Sequence, residues 1–159
     1  MPQVNSRWRC SNRCEAAKSW VEYPDHIFVD RIDIQIEITP VPFSDISRPE
    51  KGEESEDIRQ RVIRARQIQE QRFRNSKLIH CNAQMTERMI HQYAEPDDDG
   101  MNMLRMAMER LSLSARAYSR ILKVARTIAD LANSESVKVE HLAEAISYRQ
   151  LDRGDWAER

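Results

Sequence analysis

One face of a predicted helix carries side chains that could bind an anion. Arg116, Arg120, Lys123 and Thr127 recur at i, i+4, i+7 and i+11. An α-helix places residues at this spacing on one side. Guanidinium and ammonium groups aligned in this way can meet the oxygens of a phosphate. The spacing by itself leaves two interpretations open: a phosphate site, or a solvated face with scattered ion pairs.

The helix that would position these side chains spans residues 114–131. Ser114 stands where an N-cap is needed, because its hydroxyl can accept a hydrogen bond from an unpaired N–H of the first turn. A second face of the same stretch is apolar, which predicts burial against other elements. Its members are Tyr118, Ile121, Leu122, Ala125, Ile128 and Ala129.

The rest of the chain predicts a small bundle around this helix. With three glycines among 159 residues, the composition favours a mainly α protein with few tight turns. Together with 114–131, the apolar periodicity predicts helices at 53–74, 86–93, 98–111 and 140–148. We therefore expect a helical domain over residues 53–150.

A β-strand pattern precedes the helical part. Isoleucines at 32, 34, 36 and 38 alternate with polar residues, which predicts a strand with one apolar face. The sequence offers no second strand of this quality, and a lone strand leaves its backbone groups unpaired. We therefore predict that residues 29–42 complete a sheet whose other strands lie outside the chain. Residues 1–28 are expected to be poorly ordered, 43–52 to be a linker and 151–159 to be a frayed tail.

The helix predicted at 53–74 has a basic second half. Residues 58–77 carry seven Lys or Arg against one Glu, although the formal net charge of the whole chain is −1. Two interpretations are open: a solvated amphipathic helix, or a surface that contacts the backbone of DNA or RNA. The candidate phosphate-binding side chains are Arg59, Arg61, Arg64, Arg66, Arg72 and Arg74.

The residues present exclude several kinds of active site. A P-loop needs two glycines flanking four residues and then lysine, and none of the three glycines fits that pattern. Cys10, Cys14 and His26 supply at most three of the four ligands of a zinc site. We therefore expect no metal site and no self-sufficient catalytic centre. The absence of an apolar run near the roughly 20 residues of a membrane span, and of a signal peptide, predicts a cytoplasmic protein that does not enter the membrane.

Several stretches resemble one family of ATPases. Residues 29–37 (VDRIDIQIE) are similar to the Leu-Asp-Arg-Ile-Asp stretch of magnesium-chelatase-like AAA+ ATPases, and within these to the competence protein ComM group. The stretches that follow the C-terminal part of that family in order are 82–85 (NAQM), 113–118 (LSARAY), 123–131 (KVARTIADL) and 141–146 (HLAEAI). Residues 1–28 depart from the family, which has Ser-Gly-Pro-Leu where this chain has residues 25–28 (DHIF).

The resemblance implies a role for the arginines. The chain would be the last strand of an ATPase core followed by its helical lid. Arg31 matches the arginine finger that reaches ATP on a neighbouring subunit. Arg116 matches the lid arginine called sensor 2, which faces the γ-phosphate of its own subunit's ATP, and Arg120 would support it. The P-loop and metal-binding acids would lie upstream, so the isolated chain is not expected to be an enzyme.

The implied cofactor is ATP with magnesium, bound by the full-length parent and not by this fragment alone. The implied partners are the upstream ATPase core and the other subunits of a homo-oligomeric ring, and DNA remodelling in transformation is one implied task. Two alternatives need no parent ATPase. The chain could be a stand-alone nucleic-acid-binding helical module, or a purely structural oligomerisation module.

Overall fold

The computed structural model describes residues 32–36, 38, 40, 43, 47 and 52–149. This part is mainly helical, as predicted. Its elements are α1 (Ser55–Phe73), a 3-10 helix (Asn82–Gln84), α2 (Glu87–Tyr93), α3 (Asp98–Leu111), α4 (Ala115–Leu131) and α5 (Val139–Ser147). All five predicted α-helices are confirmed, with ends within two residues of those expected. The predictions for residues 1–28, for Arg31 and for the tail 151–159 lie outside the described residues.

Helix α4 is the centre of the fold. It packs against α1, α2, α5 and the 3-10 helix, while α3 packs on α5. The apolar side chains that it buries are Ala117, Ile121, Leu122, Ala125 and Ala129. Because three of these are alanines, neighbouring elements can come close to the α4 backbone without leaving voids. Tyr118 and Ile128, which the sequence places on the same face, are partly buried at the edge of the core.

Both ends of α4 are closed by local hydrogen bonds. The Ser114 hydroxyl accepts from the Ala117 N–H at 3.2 Å, which confirms the predicted N-cap. At the other end Asn133 adopts a left-handed conformation with φ 54°. The Ser134 N–H then reaches the Ala129 carbonyl at 2.8 Å. This is a Schellman motif, and it ends the helix at a defined residue.

The start of α3 explains the need for Gly100. The Asp97 carboxylate caps the helix by accepting from the Gly100 N–H at 2.8 Å. A Cβ atom on Gly100 would lie only 2.8 Å from a methyl carbon of Leu142 and from Cβ of Pro96. Glycine is therefore required here by the close approach of α5 to α3 rather than by its backbone angles.

The N-terminal half of α1 is exposed. Ile58 and Val62 are 42% and 37% exposed, so these apolar residues of α1 are not covered by the bundle. Phe73, near the end of α1, is 3% exposed, and its ring meets Tyr93 edge-on with centroids 5.9 Å apart. The inward-facing residue one turn before Phe73 is the polar Gln69, which interrupts the apolar period of α1 in the sequence.

Residues 32–36 lie against the bundle without forming a strand. The Gln35 N–H donates to the Tyr148 carbonyl at 3.0 Å, and the Arg149 guanidinium donates to the Ile32 carbonyl. The described isoleucines of the predicted strand are 47% to 88% exposed. A ladder needs a second strand, and the described residues supply none. A sheet that would receive this segment therefore stays a prediction.

Candidate functional site

Arg116 lies in the first turn of α4 and points outward. Its side chain is exposed, and it makes no hydrogen bond or ion pair with any residue that the structure describes. The first turn of α4 contains no acidic residue. A positive side chain at this end of a helix is opposed by the partial positive charge of the helix dipole. The position therefore concentrates positive potential, and no described side chain forms an ion pair with Arg116, which suits an anion.

Arg120 lies one turn further along the same face. Its Nη1 donates to the Asp33 carboxylate, and the side chain of Arg120 is 28% exposed. Asp33 belongs to the segment that precedes the helical domain, and its side chain is 54% exposed. Arg120 is therefore already paired with a carboxylate, and its predicted role in supporting Arg116 stays a prediction.

Lys123 and Thr127, the last two side chains of the predicted row, form hydrogen bonds within the protein. The Lys123 ammonium donates to the Ala83 carbonyl at 3.1 Å. The Thr127 hydroxyl donates to the Lys123 carbonyl at 2.9 Å and accepts from the Asn82 amide at 3.1 Å. The row of side chains predicted from the sequence thus has two parts. Arg116 is exposed at the start of α4, whereas Lys123 and Thr127 bind the 3-10 helix.

A buried network of charged and polar side chains surrounds Asp130, near the C-terminal end of α4. Asp130 is 1% exposed and accepts from Arg72 at 2.7 Å, from Asn82 at 2.8 Å and from Arg126 at 3.1 Å. Arg126 also donates to the carbonyls of Ser134 and Glu135, at 2.6 and 2.9 Å. This Asp130 network joins α1, the 3-10 helix, α4 and the loop after α4. It fixes the orientation of the helix that presents Arg116.

The Asp130 carboxylate is held in its charged form. Burial alone raises its pKa, but the hydrogen bonds from Arg72 and Asn82 and the charges of Arg72 and Arg126 outweigh burial, so the pKa lies below its ordinary value. Burial lowers the pKa of Arg126, and the neighbouring Asp130 counteracts part of that effect. The arginines and the amide around Asp130 therefore keep its carboxylate charged.

Helix α2 is fastened to α4 next to Arg116. The Ser119 hydroxyl contacts both carboxylate oxygens of Glu87, at 2.9 and 3.0 Å. Burial raises the pKa of Tyr118, and the nearby carboxylates of Glu95 and Glu87 raise it further. Tyr118 is therefore a neutral phenol near neutral pH, and Glu87 of α2 and Glu95 just after α2 supply acidic groups on this side of α4.

The arginines predicted to contact nucleic acid do not act as one set. Arg72 must be removed from it, because its side chain is 11% exposed and pairs with buried Asp130. Arg61 binds the Glu53 carboxylate with two hydrogen bonds of 2.9 Å, and Arg59 lies 3.5 Å from Glu56. The remaining arginines are exposed and form no ion pair with the described residues: Arg64, Arg66 and Arg74.

Sequence reasoning missed the Asp130 network, although a signal for it existed. Arg126 and Asp130 stand four residues apart within the apolar face of α4, next to Ala125 and Ala129. Charged residues at helical spacing on a buried face must be paired, because an unpaired buried charge is costly. Arg72 was the less visible partner, because its neighbours in α1 made it look like one of many surface arginines.

The described residues contain no group of three or more His, Cys, Asp and Glu side chains that could hold a metal ion. In the same part of the chain, none of the helices has the length and apolar character that crossing a membrane requires. Arg31, the expected arginine finger, is outside the described residues.

Comparison with known families identifies the helical domain. Residues 52–149 match the family described as magnesium chelatase, subunit ChlI C-terminal. This range covers more than half of the 159 residues. The chain therefore belongs to this family, and the resemblance inferred from its motifs is confirmed.

Within this family, individual relatives show that the chain is similar to ComM and YifB. The chain is 37% identical over 127 residues to competence protein ComM of Haemophilus influenzae, covering 79% of this chain and 24% of ComM. It is 37% identical over 146 residues to the uncharacterized protein YifB of Salmonella typhimurium, covering 89% of this chain and 28% of YifB. A third relative, Rv2897c of Mycobacterium tuberculosis, is 33% identical over 122 residues, which is 77% of this chain and 24% of that protein. The chain thus spans about a quarter of the length of the curated relatives it matches.

Proposed function

We propose that this domain is the helical lid of a magnesium-chelatase-like AAA+ ATPase and that Arg116 contacts the γ-phosphate of ATP. The observation that carries the proposal is the state of Arg116. It is exposed in the first turn of α4, where the helix dipole adds to its charge, and no described side chain neutralises it. Family membership supports the same assignment, because residues 113–118 follow the family pattern in which the lid arginine is found.

The chemistry of phosphoryl transfer suits this arginine. Negative charge spreads over the γ-phosphate oxygens in the transition state, and a planar guanidinium that is always protonated can meet them with two hydrogen bonds. The Asp130 network holds α4 in place, so the first turn that carries Arg116 is positioned before the nucleotide arrives. Arg120 supports this position from one turn away, and Arg31 acts on the ATP of the neighbouring subunit.

The rest of the catalytic apparatus belongs to the full-length protein. The curated relatives are about four times longer than the part matched here. In this proposal an ATPase core precedes the lid and binds ATP with magnesium, and several subunits assemble into a homo-oligomeric ring. Because one relative is named a competence protein, DNA is the proposed substrate of the motor.

The isolated chain is expected to show no ATP hydrolysis above the buffer rate in the presence of magnesium. The physical reason is that its sequence contains no P-loop to hold the phosphates. A phosphate-release assay on the folded chain, with circular dichroism to verify its helices, measures this directly. Robust turnover that resists further purification would contradict the assignment as a lid.

A second candidate function is supported by the exposed arginines of α1. Arg64, Arg66 and Arg74 form no ion pair with the described residues, so they are able to contact the phosphates of DNA. In this case the chain binds duplex DNA with an affinity that falls as salt is added.

Replacing Arg64, Arg66 and Arg74 together with glutamine is expected to abolish most of this DNA binding. Each lost phosphate contact should reduce the slope of log affinity against log salt by about 0.9. Fluorescence anisotropy on a labelled duplex at several salt concentrations measures both quantities. An Arg59→Gln variant is the control, because Arg59 already lies near Glu56. Absence of binding by the unaltered chain at low salt would leave only the lid function.

A further inference from the structure

Among the described residues, three contacts of different kinds join the segment that precedes the helical domain to that domain. Asp33 accepts from Arg120 on α4, the Gln35 N–H donates to the Tyr148 carbonyl at 3.0 Å, and the Arg149 guanidinium donates to the Ile32 carbonyl. Arg149 is 1% exposed, and its bond to the Ile32 carbonyl is partly buried. The segment 32–35 therefore behaves as part of the surface that carries Arg116 and Arg120.

Asp33 sets the electrostatics of that surface. Arg116 and Arg120 stand four residues apart on one helix, where like charges repel each other. The Asp33 carboxylate neutralises Arg120 and directs its guanidinium toward the preceding segment. Arg116 is then the cation that an incoming phosphate meets on this face of α4.

We infer that Asp33 is a positioning residue of the proposed nucleotide site, acting by keeping Arg120 off the phosphates until Arg116 has engaged them. The inference rests on the proposed function. An unrestrained Arg120 would bind the polyphosphate equally well before and during the reaction, which tightens binding without speeding the chemistry. It would also draw the γ-phosphate away from its alignment with Arg116.

Replacing Asp33 with asparagine in the full-length protein tests this role. The KM for ATP and the kcat are both expected to fall by about two- to fivefold, the size of effect that one exposed ion pair allows. A purely structural role would give the opposite change in KM, because a distorted site binds ATP less well. Asp33→Glu keeps the charge and should restore the kcat. Asp57→Asn removes an exposed carboxylate from α1 and is the matched control.

The pairing with Arg120 is tested by a double-mutant cycle. In the Arg120→Gln background, Asp33→Asn should cause no further change in KM, because the charge that it controls is absent. An unchanged or raised KM for Asp33→Asn alone would overturn the inference. So would two fully additive effects in the cycle. The proposed function is tested by a different variant: it fails if Arg116→Ala leaves ATP turnover intact. The two failures can therefore be told apart.

Attachment of the segment can be measured without any nucleotide. In the isolated chain the Gln35 amide is expected to exchange with solvent slowly, because it donates to the Tyr148 carbonyl. Asp33→Asn should accelerate that exchange by about two- to fivefold. Exchange of Gln35 at the rate of an unstructured peptide in the unaltered chain would overturn the inference, whatever the ATPase assay gives.

Discussion

Asparagine in place of Asp130 is expected to lower the free energy of unfolding by about 3–5 kcal/mol. The substitution keeps the volume of the side chain but leaves Arg72 and Arg126 buried without their carboxylate. Small domains have only about 5–15 kcal/mol of stability in total, so this loss is large. Urea unfolding of the isolated chain, followed by circular dichroism, measures the change.

Glu70→Gln is the matched control, because it removes an exposed carboxylate from α1 and should change stability by no more than about 0.5 kcal/mol. A loss below about 1 kcal/mol for Asp130→Asn would contradict the importance assigned to the Asp130 network. Repeating the unfolding experiment at several pH values tests whether the charge of the Asp130 carboxylate is responsible.

Stability should also depend on pH through this one carboxylate. The folded protein holds the pKa of Asp130 below its ordinary value of 3.8. The stabilisation is therefore fully present above that ordinary value and is lost as the pH falls through the lower, folded-state pKa. The difference in unfolding free energy between the unaltered chain and Asp130→Asn should shrink below about pH 4. A difference that stays constant down to pH 2 would contradict this.

Alanine in place of Arg116 should reduce ATP turnover by the full-length protein by about 100-fold or more. The estimate follows from the usual effect of removing one group aimed at developing charge. Because the Arg116 side chain is exposed and has no described partner, unfolding of the lid should be unaffected. Arg116→Lys keeps the charge but loses the planar pair of donors, so it should restore only part of the activity. Steady-state phosphate release measures all three proteins.

Arg105→Ala provides the control for charge. Arg105 is an exposed arginine on α3, and its loss changes the net charge of the domain by the same amount. Turnover by this variant should match that of the unaltered protein. An equal loss of activity in both variants would mean that the domain acts through its overall charge and not through Arg116.

The helical architecture could be predicted because each helix has recognisable signals within its own stretch of sequence. The apolar face of α4, the cap at Ser114 and the acidic start of α3 are all sequence signals that the structure uses. The outward position of Arg116 also follows from its place on the face opposite the buried one. These features depend on residues within a few turns of one another, so no long-range information is needed.

The sequence could not specify which residues pair across long distances along the chain. The sequence pattern does not distinguish Arg72 from the surface arginines of α1, because its partner Asp130 lies 58 residues away. The burial of Phe73 is hidden in the sequence, because Gln69 fills an inward position with a polar group that accepts from the 3-10 helix. The pairing of Arg120 with Asp33 spans 87 residues. Periodicity reports which face is buried, and it carries no information about which element covers it.

The affinity of the full-length protein for ATP, compared with its affinity for ADP, tests the central claim most directly. ADP lacks the γ-phosphate, so an arginine that contacts only this group should matter for ATP alone. We expect Arg116→Ala to weaken ATP binding by about tenfold, the effect of losing roughly 1.4 kcal/mol from one charged hydrogen-bonding group, while ADP binding stays the same. Equal weakening of both nucleotides, or of neither, would contradict the assignment of Arg116 to the γ-phosphate.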